Sequence, residues 1–150
     1  MESDVPKIDR ALRIRERADG LIRDLEREPE PERAIGWTCS YTPQELILAA
    51  GLTPVRIPTT EARAHEWTQS YLPANLCPYV HRLLQAGLSG GLPPLLGTVF
   101  VDSCDPMRRL ADIWHLYAEP GFFHRLDVPR RDDLSAQAFF LSGLEDFRSA

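Results

Sequence analysis

Short apolar runs alternate with amphipathic helical patterns along most of this sequence, and that alternation is the feature that most constrains its fold. The strand-like runs are IGWTC, TPVRIP, GTVFVDS and FFHRLDVP, and the helix-like segments are PQELILAAG, PYVHRLLQAGLSGG, DPMRRLADIWHLYAE and LSAQAFFLSGLEDF. Because alternating strands and helices build parallel sheets with right-handed crossovers, we predict an α/β fold, a parallel sheet flanked by helices, Rossmann-like or flavodoxin-like. Residues 59–76 are ambiguous, with a short helix over 62–71 as one interpretation.

The start of the chain has a different pattern. Apolar side chains recur at the spacing of one helical face between residues 8 and 25, which predicts an amphipathic N-terminal helix over residues 1–28. The run EPEPER then contains two prolines among charges and is interpreted as a linker. Since 150 residues bury one core, we predict a single α/β domain over residues 34–150.

Charge and hydropathy argue against two classes of partner. The formal net charge is -5, and the basic residues are scattered among acids, so nucleic acid is not an expected partner. No stretch approaches the roughly 20 apolar residues that cross a bilayer, and the charged start lacks the apolar core of a secretion signal. We therefore expect a cytoplasmic protein without a membrane partner.

The three cysteines are an odd number, which in a reducing compartment indicates thiols, metal ligands or small buried side chains better than disulfides. Cys39 lies between a predicted strand end and a helix start, Cys77 precedes Pro78 as a helix cap, and Cys104 precedes the sequence Asp-Pro, in which the aspartate is expected to cap. All three cysteines thus precede predicted helix N-termini, where the helix dipole favours the thiolate that binds metals.

Turns that follow parallel strands lie along one edge of the sheet, where ligands usually bind. Cys39 and Cys104 are therefore expected at that edge together, with Cys77 joining them. Their separations of 38 and 27 residues match no short metal-binding motif, so the sequence pattern does not name a metal.

Other polar residues have weaker functional interpretations. Thr42 and Glu45 are predicted to form a capping box, and Ser40 could donate a hydrogen bond to a ligand at Cys39. Arg108 and Arg109 fit either a phosphate group of a ligand or a solvated helix face, with the solvated face preferred. The remaining candidates are interpreted as packing, surface or, for the aspartates, capping or weak acid–base groups: His65, His81, Asp102, Asp105, Trp114, His115 and His124. The core stripe of the first helix is predicted as Leu46, Leu48, Ala49 and Leu52.

Three blocks around the cysteines resemble a known family. IGWTCSYTPQELILAAGLTPVRI, LCPYVHRLL and LLGTVFVDSCDPMRRLADIW are similar, in order and separation, to blocks of the 2-hydroxyacyl-CoA dehydratase D-component and benzoyl-CoA reductase subunits. The resemblance covers residues 34–117. Members of this family have a second α/β domain, so this chain is expected to correspond to the N-terminal domain only.

The resemblance implies a 4Fe-4S cluster bound by Cys39, Cys77 and Cys104. It also implies a sister subunit, an ATP-dependent activator protein that delivers single electrons, and a CoA thioester substrate. Both 2-hydroxyacyl-CoA dehydration and benzoyl-CoA-type ring reduction remain open. Two alternatives stay beside the enzyme hypothesis: a truncated, non-catalytic member that acts in assembly, and a zinc or thiol-redox module.

Overall fold

The computed structural model describes residues 30–59, 66–118 and 121–150. The N-terminal helix predicted over residues 1–28 lies outside the described residues, as does His65. The strands are β1 (Ala34–Trp37), β2 (Thr53–Arg56), β3 (Gly97–Val101) and β4 (Phe122–Leu126). The helices are α1 (Gln44–Ala49), α2 (Pro78–Leu88), α3 (Asp105–Tyr117) and α4 (Leu134–Ser149), with 3₁₀ helices at Pro31–Arg33 and Glu66–Ser70.

The strands form one parallel sheet in the order β2-β1-β3-β4. From β1 the chain moves outward to β2, then crosses back over β1 to pair β3 with the other side of β1. This is the order of the first four strands of a flavodoxin-like fold. The predicted α/β class with a parallel sheet flanked by helices is therefore confirmed.

Helices cover both faces of the sheet. On one face, α2 and α3 pack over Ile57 and Phe100 and form the larger apolar core. On the other face, Ile47 of α1 and Phe147 of α4 pack with Ile35 and Val99. All five residues of β3 are buried, because this strand is central and covered on both sides.

Glycines end two of the helices as the sequence predicts. Gly51 follows α1 with a φ of 75°, and Gly90 follows α2 with a φ of 71°. Residues with a side chain rarely adopt this left-handed conformation, so glycine stops the helix there at little cost.

One local prediction is wrong in part, the core stripe of the first helix. The buried side chain of α1 is Ile47, whereas Leu48 is 59% exposed and Ala49 is also exposed. The predicted core stripe therefore holds only for the half-buried Leu46 and Leu52, because a helix of six residues buries little more than one position per turn. In the ambiguous segment 59–76, a 3₁₀ helix at Glu66–Ser70 lies within the range 62–71 where the sequence indicated a short helix, and residues 60–65 lie outside the described residues.

The helices in the described ranges include none that is both long and apolar enough to cross a membrane.

We predict that Gly87→Ala destabilises the fold, although alanine has the better helix propensity by about 1 kcal/mol. A β-carbon at Gly87 would lie 2.6–3.0 Å from the ring of Trp114, which is buried and cannot move away. Such overpacking costs about 1–3 kcal/mol of the free energy of unfolding, measurable by urea denaturation. The control is Gly91→Ala, where the nearest atom is 3.5 Å away. A Gly87→Ala protein as stable as the wild type would contradict this packing.

We also predict an acid-sensitive contact between β4 and α4. The ring of His124 packs 4.6 Å from that of Phe147, and burial lowers the pKa of His124 below its ordinary value of 6.5, against an opposing effect of Asp146. The unfolded chain therefore takes up this proton at higher pH than the folded chain, so stability falls as the pH drops through about 6.5. Urea midpoints at about pH 7.5 and about pH 5.5 should differ more for the wild type than for His124→Gln. Equal differences would exclude His124 as the source.

Candidate functional site

The candidate site is the edge of the sheet at the carboxyl ends of β1 and β3. These neighbouring strands lead into α1 and α3, which lie on opposite faces of the sheet. The loops that follow the two strands therefore lead to opposite faces of the sheet. In open parallel sheets, ligands bind at such a reversal of strand order.

Cys39 and Cys104 lie at this edge, as predicted. The Sγ atom of Cys39, in the loop after β1, lies 3.3 Å from the Oγ atom of Ser103, in the loop after β3. Cys104 directly follows Ser103 and is the N-cap residue of α3. The contact between Cys39 and Ser103 joins the loops that carry two of the predicted ligands.

Cys77 reaches the same part of the molecule through its helix. It is the N-cap residue of α2, with Pro78 at the first helical position, as the sequence predicts. Two residues later, the hydroxyl of Tyr79 donates a hydrogen bond of 2.8 Å to the carbonyl oxygen of Thr38, the residue before Cys39. This bond ties the start of α2 to the end of β1.

The three cysteines are free thiols, and none is buried. Cys39 is half-buried against the larger core, while Cys77 and Cys104 are exposed. Neither N-cap cysteine accepts a hydrogen bond from its helix through its side chain. Cys77 and Cys104 are therefore not small core side chains, which was the interpretation that competed with a site, whereas Cys39 packs partly against the core.

Within residues 30–59, 66–118 and 121–150, no three His, Cys, Asp or Glu side chains are grouped so that they could hold a metal ion. What the described residues offer is soft sulfur donors in the loops after β1 and β3 and at the start of α2, a donor type that suits zinc, copper(I) and iron–sulfur clusters.

The predicted helix caps beside two of the cysteines are wrong. Pro43, and not Thr42, is the N-cap residue of α1, and no side chain caps this helix. Thr42 is instead buried, and its amide donates a 2.9 Å hydrogen bond to the carbonyl of Cys39, which closes a tight turn. Asp105 does not cap α3 either, because it is already the first helical residue and its carboxylate pairs with Arg109 at 2.8 Å.

A buried carboxylate fixes the loop after β3. Asp102 is 5% exposed, and its carboxylate accepts hydrogen bonds from Arg125 of β4 at 2.7–2.8 Å, with Arg108 at 3.3 Å. Arg125 also pairs with Asp112 of α3 at 2.5 Å. The hydrogen bond to Asp102 raises the pKa of Arg125 above its ordinary value. Asp102 is thus an anchor between elements, and Arg108 is engaged in the same network.

The histidine candidates have structural roles where they are described. His81 is buried, with Nδ1 3.0 Å from Thr68 Oγ1 and Nε2 3.2 Å from the carbonyl of Pro73. The ring of His115 packs 4.7 Å from that of Phe123. Trp114 is core, as predicted.

Sequence reasoning missed Ser103 and Tyr79 as site residues. Ser40, the serine that it singled out, is exposed. The sequence held one indication of Ser103 as a site residue, since it directly precedes Cys104 at the end of a confidently predicted strand. Tyr79 had none, because its contact with Thr38 joins residues 41 positions apart.

Comparison with known proteins now identifies the family. The family model for the 2-hydroxyglutaryl-CoA dehydratase D-component matches residues 39–150, a range that includes all three cysteines. The chain belongs to this family. The resemblance seen in the three sequence blocks is therefore confirmed.

Two relatives are similar to most of this chain, which covers only part of their length. The (R)-phenyllactyl-CoA dehydratase beta subunit of Clostridium sporogenes is 30% identical over 114 residues, which is 76% of this chain and 30% of that protein. A benzoyl-CoA reductase subunit of Thauera aromatica is 27% identical over 147 residues, 88% of this chain and 37% of that protein. The chain spans about a third of the length of these relatives.

A third relative, the lactoyl-CoA dehydratase beta subunit of Anaerotignum propionicum, is 27% identical over 81 residues, 54% of this chain and 22% of that protein. Dehydratase and reductase subunits thus both resemble this D-component family member.

We predict that Asp102→Asn lowers the free energy of unfolding by about 3 kcal/mol, because it breaks the buried ion pair and leaves Arg125 with only the exposed carboxylate of Asp112 as a partner. This value is at the lower end for a broken buried pair, since the side chain of Arg125 is 32% exposed. The matched control is Asp105→Asn, which breaks an exposed ion pair and should cost less than about 1 kcal/mol. Similar losses in the two variants, measured by urea denaturation, would show that Asp102 is no special anchor.

Proposed function

We propose that this chain is an iron–sulfur subunit, or the N-terminal part of one, of a 2-hydroxyacyl-CoA dehydratase-like enzyme, with Cys39, Cys77 and Cys104 as ligands of a 4Fe-4S cluster. The observation that carries the proposal is the arrangement of the three thiols. None is buried, two begin helices, and the third contacts the loop that carries one of these helix starts.

The donor set fits such a group in its chemistry. Iron–sulfur clusters are held by cysteine thiolates, usually four. Each thiolate binds a different iron of the cluster, so the three sulfurs need not converge on one point as they would around a single ion. The chain has three cysteines, so a fourth ligand would come from outside this sequence or from a group other than cysteine.

Two of the proposed ligands stand at helix N-termini. Cys77 and Cys104 stand at the N-termini of helices of 11 and 13 residues, where the first backbone N–H groups point outward and the helix dipole is positive. Cys39 has a hydroxyl neighbour in Ser103. These groups supply positive potential and a hydrogen bond, while the cluster itself supplies one-electron transfer to a CoA thioester.

Several partners follow from this proposal. The named relatives are subunits of dehydratases and a reductase, which supports a sister subunit for this chain. A CoA thioester as substrate and an ATP-dependent activator protein as electron donor belong to the same proposal, as does a cytoplasmic location.

Benzoyl-CoA-type reduction is the second candidate. It is favoured by the longer match, since the similarity to the benzoyl-CoA reductase relative covers 88% of this chain. A dehydratase is preferred because the matching family model describes a dehydratase D-component, and because the relative with 30% identity is a dehydratase subunit. Turnover of 2-hydroxyacyl-CoA against benzoyl-CoA by the reconstituted complex would separate the two.

The test of the proposed cofactor is the iron and acid-labile sulfide content of protein that is purified and reconstituted anaerobically. A complete cluster gives about four irons and about four sulfides per chain. We predict this content for the wild type, and a loss of most of the iron for Cys39→Ala, Cys77→Ala and Cys104→Ala. Ser40→Ala is the control beside Cys39 and should keep full content.

Other outcomes would favour the alternatives. Bound zinc without iron would indicate a zinc module. A folded wild type that takes up no metal would contradict the cluster and favour a non-catalytic role in assembly. Full iron content in a cysteine variant would remove that residue from the ligand set.

A further inference from the structure

We propose that Ser103 is a positioning residue for the cluster ligand Cys39, and that its hydroxyl raises the reduction potential of the site by hydrogen bonding to the Cys39 sulfur. This inference rests on the proposed function, because it assumes a cluster bound through Cys39. Its basis is the 3.3 Å contact between the Sγ of Cys39 and the Oγ of Ser103, across 64 residues of sequence.

Ligand formation reverses the direction of this hydrogen bond. In the free protein the thiol of Cys39 donates to the serine oxygen. A metal-bound thiolate has no proton to donate, whereas a serine hydroxyl can act as donor or acceptor. The hydroxyl of Ser103 therefore becomes the donor to Cys39 when the sulfur is a ligand.

The serine is held where it can make this bond. The amide of Ser103 donates to the carbonyl of Val101 at 2.8 Å, and the amide of the preceding Asp102 donates to the carbonyl of Leu126 at 2.9 Å. The buried ion pair between the side chains of Asp102 and Arg125 also holds this loop in place. The loop is therefore tied to β4 immediately before Ser103.

The contact is specific for the sulfur of Cys39. The backbone turn at Cys39 is already closed by the amide of Thr42, so the loop does not need Ser103 to hold its main chain. Ser40, next to Cys39 in sequence, is exposed and provides a matched serine for comparison.

A hydrogen bond to a ligand sulfur stabilises the reduced cluster more than the oxidised one, because the reduced form carries more negative charge. Hydrogen bonds to sulfur are among the factors that set cluster potentials. Loss of the Ser103 hydroxyl should therefore make the midpoint potential more negative.

The experiment is potentiometry of anaerobically reconstituted protein, followed by electron paramagnetic resonance, on the wild type, Ser103→Ala, Ser103→Thr and Ser40→Ala. We expect Ser103→Ala to disfavour the reduced form about tenfold, which is about 59 mV for a one-electron couple. Ser103→Thr keeps the hydroxyl and should stay near the wild-type potential, as should Ser40→Ala. Iron and sulfide content, measured on the same samples, shows that each cluster is complete.

A second pair covers the case in which Ser103→Ala does not fold or does not hold a cluster. Ser103→Val and Ser103→Thr have the same shape and differ in the hydroxyl, so a more negative potential for valine would support the proposal. Complete clusters with equal potentials in all variants would overturn the role of Ser103 and leave the proposed function intact. Absence of a cluster from the wild type would overturn the proposed function, and this inference with it.

Discussion

The pairing of β1 with β3 is the constraint on which the rest of this structure depends. Because the chain adds β2 on one side of β1 before it crosses back to β3, the two central strands send their following loops to opposite faces of the sheet. Because β1 and β3 are direct neighbours, the loops start side by side, and Cys39 and Ser103 are in contact. If β3 paired with β2 instead, the loops after β1 and β3 would be two strands apart, and the edge would carry no such contact.

Two polar interactions fix the loops at this edge. The buried carboxylate of Asp102 anchors the loop after β3 to Arg125 of the neighbouring strand, and the hydroxyl of Tyr79 anchors the start of α2 to the end of β1. Both anchors stand within two residues of a proposed ligand cysteine, Cys104 or Cys77. A buried ion pair adds little net stability, but a broken one is costly, so the Asp102 pair defines one geometry for its loop.

Local patterns in the sequence predicted the elements well, because their causes are local. Apolar β-branched runs predicted the strands, and proline at the first helical position predicted Cys77 as a helix cap. Membership of the family was likewise readable from contiguous blocks of sequence. The order of strands was not, since Rossmann-like and flavodoxin-like sheets use the same alternation of elements and differ in how the crossovers run.

The two failed cap predictions have different causes, one tertiary and one within the helix itself. Thr42 was expected to cap α1, but its side chain is buried in the turn below Cys39. Asp105 was expected to cap α3, but the N-cap position falls one residue earlier and its carboxylate pairs with Arg109 instead. The contact between Cys39 and Ser103 could not be read from sequence at all, because it depends on which strands are neighbours.

The central claim is that the carboxyl edge of β1 and β3 holds an iron–sulfur cluster through Cys39, Cys77 and Cys104. Anomalous diffraction at the iron absorption edge, on crystals of the anaerobically reconstituted protein, tests it most directly. The account predicts iron density at this edge, bonded to the Sγ atoms of all three cysteines. Iron bound elsewhere, or no iron in a well-folded protein, would contradict it.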